Sequence, residues 1–249
     1  MKNVNLMAKF DGLKTLGDRK AALMRSHQLD RIMRRLPDSE GQVERDLIAD
    51  LYAHWGDPLS RADESYLRSC LAHIKVSKSH ILQCGVGLST MVMAVSNMRG
   101  AGDNHLWSLT DDPHWANVMR SWLTQYHIRN THIVVCSPRI FDGYVWYNVD
   151  TRQLPKGITL ALPSGGSASV GGAVGLIARM GDELSDNCVV LARDLKKEAD
   201  RQQVADWAKC QRLNCVVVDK SSGFIKVTKA VKQNREFRAQ AVHASLKLR

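Results

Sequence analysis

The sequence predicts an α/β protein: a doubly wound, mostly parallel seven-stranded sheet preceded by an N-terminal helical extension. Three observations carry that expectation. Beyond residue 78, short β-rich runs alternate with helix-length amphipathic stretches, and such alternation builds right-handed crossovers onto one parallel sheet. Ahead of residue 78 the apolar periodicity is helical throughout. The chain has 249 residues, 44% hydrophobic and 24% charged, which is enough to bury a large core and unlike a disordered or collagen-like composition.

In the helical part, Leu29, Ile32, Met33 and Leu36 recur at i, i+3, i+4 and i+7, giving one apolar stripe opposite an Arg-rich face. Ser39-Glu-Gly-Gln42 has capping-box spacing and opens a second helix whose Val43, Leu47, Leu51 and Tyr52 share a face. Asp57-Pro58 punctuates the chain. Ser60-Arg-Ala-Asp63 caps a third helix, with Leu67, Cys70, Leu71 and Ile74 inward. The strand expectations are 80–84, 106–110, 132–136, 158–162, 188–192, 215–219 and 223–227, and the helix expectations between them are 89–98, 113–126, 172–180 and 196–210. The domain expectation is a helical extension over 1–77 packing on the core, a doubly wound domain over 78–229 and a basic arm over 230–249.

Charge is unevenly spread. The formal balance is +10, yet residues 1–37 carry +6, residues 226–249 another +6, and the stretch between them −2. A polyanionic partner such as nucleic acid, or an acidic protein, would therefore meet the ends: Arg25, Arg31, Arg34 and Arg35 on one side, Lys229, Lys232, Arg235 and Arg238 on the other. Runs like these also serve as plain solvated faces. Six cysteines without a C-x-x-C pair imply reduced thiols in a cytoplasmic compartment and no zinc site. The start lacks the apolar run of a signal peptide, and the two long uncharged stretches contain glycine and proline, so no membrane span is expected.

In a doubly wound sheet, ligands bind beyond the carboxyl ends of the strands. The first such turn, Gln83-Cys-Gly-Val-Gly-Leu-Ser-Thr90, runs from an apolar strand through G-x-G into a helix. Glycine there permits positive φ and close approach of a ligand, and the helix start offers free N–H groups; the same turn also serves as a tight connection without a ligand. The second, Ser108-Leu-Thr-Asp-Asp-Pro-His-Trp115, places acidic residues just past a strand, with Pro113 at the first turn of a helix. One of Asp111 and Asp112 is expected to cap that helix, leaving the other for a ribose.

These two turns at their spacing resemble class I S-adenosyl-L-methionine-dependent methyltransferases, closest to the branch whose motifs read Glu-x-Gly-x-Gly-x-Ser-Thr and Ser-Val-Glu-x-Asp-Pro-x-Trp. The resemblance continues in order over about residues 79–229, through Val145-Trp-Tyr147, the segment 158–166, the segment 184–194 with Glu198 and Trp207, and a final antiparallel strand at 223–228. It implies a bound S-adenosyl-L-methionine. Gly85 and Gly87 would pass under its methionine part, with Ser89 and Thr90 opening the helix beside it. Thr110 stands at the family's ribose acid, with Asp111 and Asp112 just beyond. Ser137 and Pro138 would lie near the adenine. Leu162, Pro163 and Ser164 would occupy the turn facing the methyl group and acceptor.

Three positions depart from the family pattern: Gln83 stands for an acid, Thr110 for the ribose acid, and Leu162 or its neighbour for the acid of the fourth turn. Neutral acceptors give up about 1 kcal/mol per bond relative to a carboxylate. Leu162-Pro163-Ser164 also removes the metal-binding acid of the catechol-type branch. Gly166-Ser-Ala-Ser-Val-Gly-Gly172 has phosphate-loop spacing without its Lys, and reads as a flexible loop before a helix. The nine His are dispersed, and no residue is singled out as catalytic. Trp107 and Trp115 are expected around the second strand, with the cofactor cleft as an alternative for Trp115. Two functional classes follow: a methyltransferase of unknown acceptor, or a non-catalytic methyltransferase-like binding or assembly module with its basic ends on nucleic acid or an acidic partner.

Overall fold

The computed structural model describes residues 27–55, 61–76, 80–98 and 104–229. Helix α1 (His27–Arg35) passes through a single 3-10 turn, Leu36–Asp38, into α2 (Gly41–Trp55), and α3 (Arg61–Val76) ends the helical part. The predicted stripe Leu29, Ile32, Met33 and Leu36 is buried. In α2 the inward face is different from expectation. Val43 is 50% exposed, while Glu44, Leu47, Ile48, Leu51, Tyr52 and Trp55 are buried, the i, i+3, i+4, i+7 set of a helix turned one residue further. At its start, the Ser39 N–H and Oγ both donate to the Leu36 carbonyl, and Gln42 Nε2 donates forward to Asp46 Oδ1 at 2.7 Å. Leu67, Cys70, Leu71 and Ile74 of α3 are buried as their spacing requires. Arg25, the Asp57-Pro58 and Ser60 signals and the arm over 230–249 lie outside the described residues.

The chain then alternates β1 (Ile81–Cys84), α4 (Leu88–Asn97), β2 (Leu106–Thr110), α5 (Pro113–Gln125) and β3 (Thr131–Val135). It continues with β4 (Pro138–Phe141), β5 (Tyr144–Tyr147), β6 (Ile158–Leu162), α6 (Ala173–Met180), β7 (Leu184–Ala192), α7 (Glu198–Cys210), β8 (Leu213–Asp219) and β9 (Phe224–Lys229). Seven strands form one sheet in the order β3-β2-β1-β6-β7-β9-β8. All neighbours pair in parallel except β9, which runs antiparallel between β7 and β8. Strand β7 starts before the predicted position 188 because Leu184 already pairs with Ile158, across a shift in register.

One element was not predicted. β4 and β5 form an antiparallel hairpin apart from the main sheet, turning at Asp142-Gly143 with Gly143 at φ +80°. Alternating side chains of the main strands feed two cores. Ile81, Leu106, Ile133, Leu160 and Leu191 face α1 to α5, so the helical extension and the sheet share one apolar layer. Leu82, Leu109, Ala161 and Val190 face the hairpin, α6 and α7. The hairpin takes the place of a helix between β3 and β6, and its Trp146 is fully buried against Gly175 of α6, where an added Cβ would lie 2.6 Å from the indole.

The amino edge of the sheet carries three imidazoles from adjacent strands. His105 Nδ1 lies 2.8 Å from His132 Nε2 with the rings 5° from coplanar, and the His80 ring is 5.8 Å from that of His105. Burial first, and then repulsion from its imidazole neighbours, lowers the pKa of His80 and of His132. The folded state therefore binds fewer protons than the unfolded chain, whose His titrate near about 6.5. Their contribution to stability is complete above that pH and is lost as pH falls through the folded values. Thermal melts should show Tm declining from about pH 7 to about pH 5, less steeply in His132→Asn. Identical slopes for the two proteins would contradict this reading.

Candidate functional site

At the carboxyl edge of β1, the Gln83 side chain is 4% exposed and has both ends satisfied. Its Oε1 accepts from Ser108 Oγ of β2 at 3.0 Å, and its Nε2 donates to Ser89 Oγ in the first turn of α4 at 2.9 Å. A neutral amide can serve both hydroxyls, accepting on one side and donating on the other. Gly85 follows at φ +94° and donates its N–H to the Leu109 carbonyl at 2.7 Å. The Gly87 N–H goes to Thr90 Oγ1 at 3.0 Å. A Cβ added at Gly85 or Gly87 would meet nothing within 4 Å. The turn is thus a cradle with open space above it, at the N-terminus of a helix whose first amides have no carbonyl within the helix to bond.

One strand over, the second turn divides its three polar residues by role. Thr110 is 4% exposed, and its Oγ1 accepts from the Asp112 N–H at 3.2 Å. Asp112 Oδ1 accepts from the Trp115 N–H at 2.8 Å and caps α5. Asp111 takes part in neither bond and is exposed. Trp115 Nε1 donates to the Val86 carbonyl at 2.9 Å, and its ring meets Trp55 edge-on at 5.8 Å. The indole therefore clamps the glycine turn to α5 and to the helical extension. Beyond β3, Ser137 and Pro138 are exposed at the start of the hairpin.

The third turn corrects two expectations. Leu162 does not face outward: its side chain is 1% exposed within the core shared with the helical extension, because its alternation on β6 points it there. Pro163 is buried as well, leaving Ser164 half-buried at the edge, its Oγ 3.2 Å from Asp194 Oδ2. The loop that follows is a tight knot and not the flexible loop expected. Gly165 N–H donates to Arg193 O, Ala173 N–H to Gly165 O, Ser164 N–H to Gly171 O and Ser167 N–H to Asp200 Oδ1, all at 3.2 Å or less.

Two further groups reach this edge, the first of them a core residue. Tyr147, at the end of β5, is 2% exposed. Burial pushes its phenol pKa up, with Cys84 and Asp111 adding to the shift and the Gly85 N–H opposing it. A Cβ on Gly171 would lie 2.8 Å from the Tyr147 ring and 2.7 Å from Cys84 Cβ. Tyr147 therefore joins the glycine turn after β1 to the loop after β6. The other group is Arg193-Asp194 at the end of β7. Arg193 sits 3.7 Å from Asp63 and 3.6 Å from Asp194, with its guanidinium over the Tyr66 ring at 5.3 Å. Asp194 holds φ +60°, a conformation Asp tolerates better than most residues.

Parallel pairing thus brings Gln83, Gly85, Gly87, Ser89 and Thr90 beside Thr110, Asp111 and Asp112, with Ser137 and Pro138 one strand further and Ser164 on the opposite flank. The open cradle and one free carboxylate suit a nucleoside carrying an amino-acid tail, while Gln83 adds no charge. Burial pushes the Cys70 and Cys188 thiols up to about 12, which keeps them protonated and unreactive. Among the described residues no His, Cys, Asp or Glu cluster could hold a metal ion, and no helix is long and apolar enough to cross a membrane.

No family model matches the sequence, and no curated protein matches it. Solved structures do. A protein from Corynebacterium glutamicum is similar at 12% identity and a TM-score of 0.50, over 82% of this chain and 99% of that one. A methyltransferase from Geobacter sulfurreducens is similar at 14% identity and a TM-score of 0.49, over 81% and 98%. An SAH-bound methyltransferase from Podospora anserina is similar at 11% identity and a TM-score of 0.46, over 86% and 95%. A seven-stranded sheet ordered β3-β2-β1-β6-β7-β9-β8 with β9 alone reversed is the class I methyltransferase fold.

Proposed function

We propose that this chain is an S-adenosyl-L-methionine-dependent methyltransferase holding its cofactor across the carboxyl ends of β1 and β2. The observation that carries the reading is the open glycine cradle at Gly85 and Gly87 beside the exposed carboxylate of Asp111. Bound there, the cofactor would supply an activated methyl group. Gly85 and Gly87 leave room for its backbone-like tail, and the first amides of α4 favour the negative charge of its carboxylate. Asp111 would accept from ribose hydroxyls, while Thr110 is 4% exposed with its Oγ1 accepting from the Asp112 N–H. Ser137 and Pro138 would flank the base. Ser164, with Asp194, lies on the side where an acceptor would approach, and transfer by in-line displacement asks chiefly for positioning.

Calorimetric titration with S-adenosyl-L-methionine and with its demethylated product tests this directly. Saturable heat is expected for both, and Asp111→Asn should weaken each about tenfold through loss of charge-assisted bonds. No heat at millimolar ligand would overturn the reading and leave the non-catalytic binding module in its place. The acceptor, and any polyanion meeting the basic ends, are separate questions that this titration leaves untouched.

A further inference from the structure

Among the described residues, strand β8 is the outermost strand of the sheet and pairs with β9 alone. Its Val216, Val217 and Val218 are 47%, 50% and 44% exposed. Successive side chains on a strand point to opposite faces; Leu213 and Cys215 lean on the core beneath α7, while the far end of the strand, Val216 to Val218, is half exposed on both faces. Natural edge strands are usually guarded by lysine, proline, a bulge or a covering element, because their unpaired N–H and C=O groups otherwise recruit another strand. Here the run from Leu213 to Val218 contains neither charge nor proline. The one shift in register with β9 falls beyond Val217, so the pairing from Leu213 to Val217 is regular.

We infer that β8 pairs with β8 of a second copy of this chain, antiparallel across a two-fold axis, merging two seven-stranded sheets into one. The ends of the strand favour self-pairing in this direction. Exposed Arg212 precedes the strand and Asp219 closes it. Hydrogen bonds from Ser221 and Ser222 hold the Asp219 carboxyl below its usual range, hence ionised. Antiparallel self-pairing lays the cationic end of each copy against the anionic end of the other, whereas a parallel arrangement would oppose like charges. With Cys215 on the axis, Leu213 faces Val217 of the second copy and Asn214 faces Val216, a register that keeps Arg212 away from Lys220. The carboxyl edges of the two sheets then point in opposite directions, so both glycine cradles stay open.

Sedimentation equilibrium of the full chain, over nanomolar to tens of micromolar protein, reads the proposal out without any ligand. A dimer of about twice the 27.8 kDa chain mass is expected. Val217→Lys should give the single-chain mass with a circular dichroism spectrum and Tm close to the parent's, because the residue is half exposed. Arg212→Glu should raise the dimer dissociation constant by about tenfold or more. A monomer throughout the range, or a dimer unaffected by both substitutions, would overturn the inference. A Val217→Lys chain that loses its native spectrum would be replaced by Val218→Lys, read in the same way.

Discussion

Gly87→Trp is expected to fold as the parent does and to bind S-adenosyl-L-methionine at least about a hundredfold more weakly. The backbone at Gly87 has φ 177° and ψ −153°, an extended conformation that does not call for glycine, and an added Cβ would meet nothing within 4 Å. The indole therefore costs the fold little. It would instead occupy the space above the turn and bar a ligand from the amides of α4. A hundredfold loss corresponds to about 2.8 kcal/mol, modest for a large side chain placed inside a binding cradle. Paired calorimetry and thermal melts separate the two effects. Unchanged affinity in a normally folded Gly87→Trp protein would move the cofactor away from this turn. Gly85→Trp would be a poorer probe, since φ +94° at that position adds backbone strain to any occlusion.

Gly171→Val should act chiefly on the fold: a destabilised protein, with the new side chain pressing on the glycine turn from beneath and not filling the space above it. Gly171 holds φ +76°, where a β-branched residue is strained, and even a methyl group would lie 2.7 Å from Cys84 Cβ and 2.8 Å from the Tyr147 ring. Overpacking and strain together should cost about 3 kcal/mol. The loop would lift from Tyr147, and the join between the turns after β1 and β6 would open. Urea unfolding should show a lower midpoint, and near-ultraviolet circular dichroism should lose part of its tyrosine signal. An unchanged midpoint would mean that the loop rearranges freely and that Tyr147 holds nothing in place.

Much of the fold was legible in the sequence because the strands of a parallel sheet are short, mostly apolar runs. Ile81–Cys84, Leu106–Thr110 and Ile158–Leu162 are such runs, and each is followed at once by a turn residue, Gly85, Asp111 or Pro163. The hairpin was not legible in the same way. Its four-residue strands are too short for periodicity, and only Asp142-Gly143, a hairpin-turn dipeptide, could have announced it. At the site, spacing brought together the glycine turn and the acidic turn, and the division between a capping Asp112 and a spare Asp111 follows from Pro113. Leu162 was misjudged because a motif position fixes a place in the chain, whereas strand alternation fixes the direction of the side chain. Tyr147 was legible as a core residue, but its place beside Gly85, like that of Asp194 beside Ser164, was not, because both reach the edge from elements distant in sequence and only the folded sheet makes these residues neighbours.

The Gln83 amide has a consequence for how this edge responds to its surroundings. A carboxylate at that position would be an ionic contact, weakening with salt and vanishing on protonation. Gln83 does not titrate, and both of its partners, Ser89 and Ser108, are neutral hydroxyls. The corner under the glycine turn is therefore held together by neutral groups. Charge enters only from the neighbouring turn, where Asp111 and Asp112 are both exposed, so an uncharged scaffold stands beside an ionic flank.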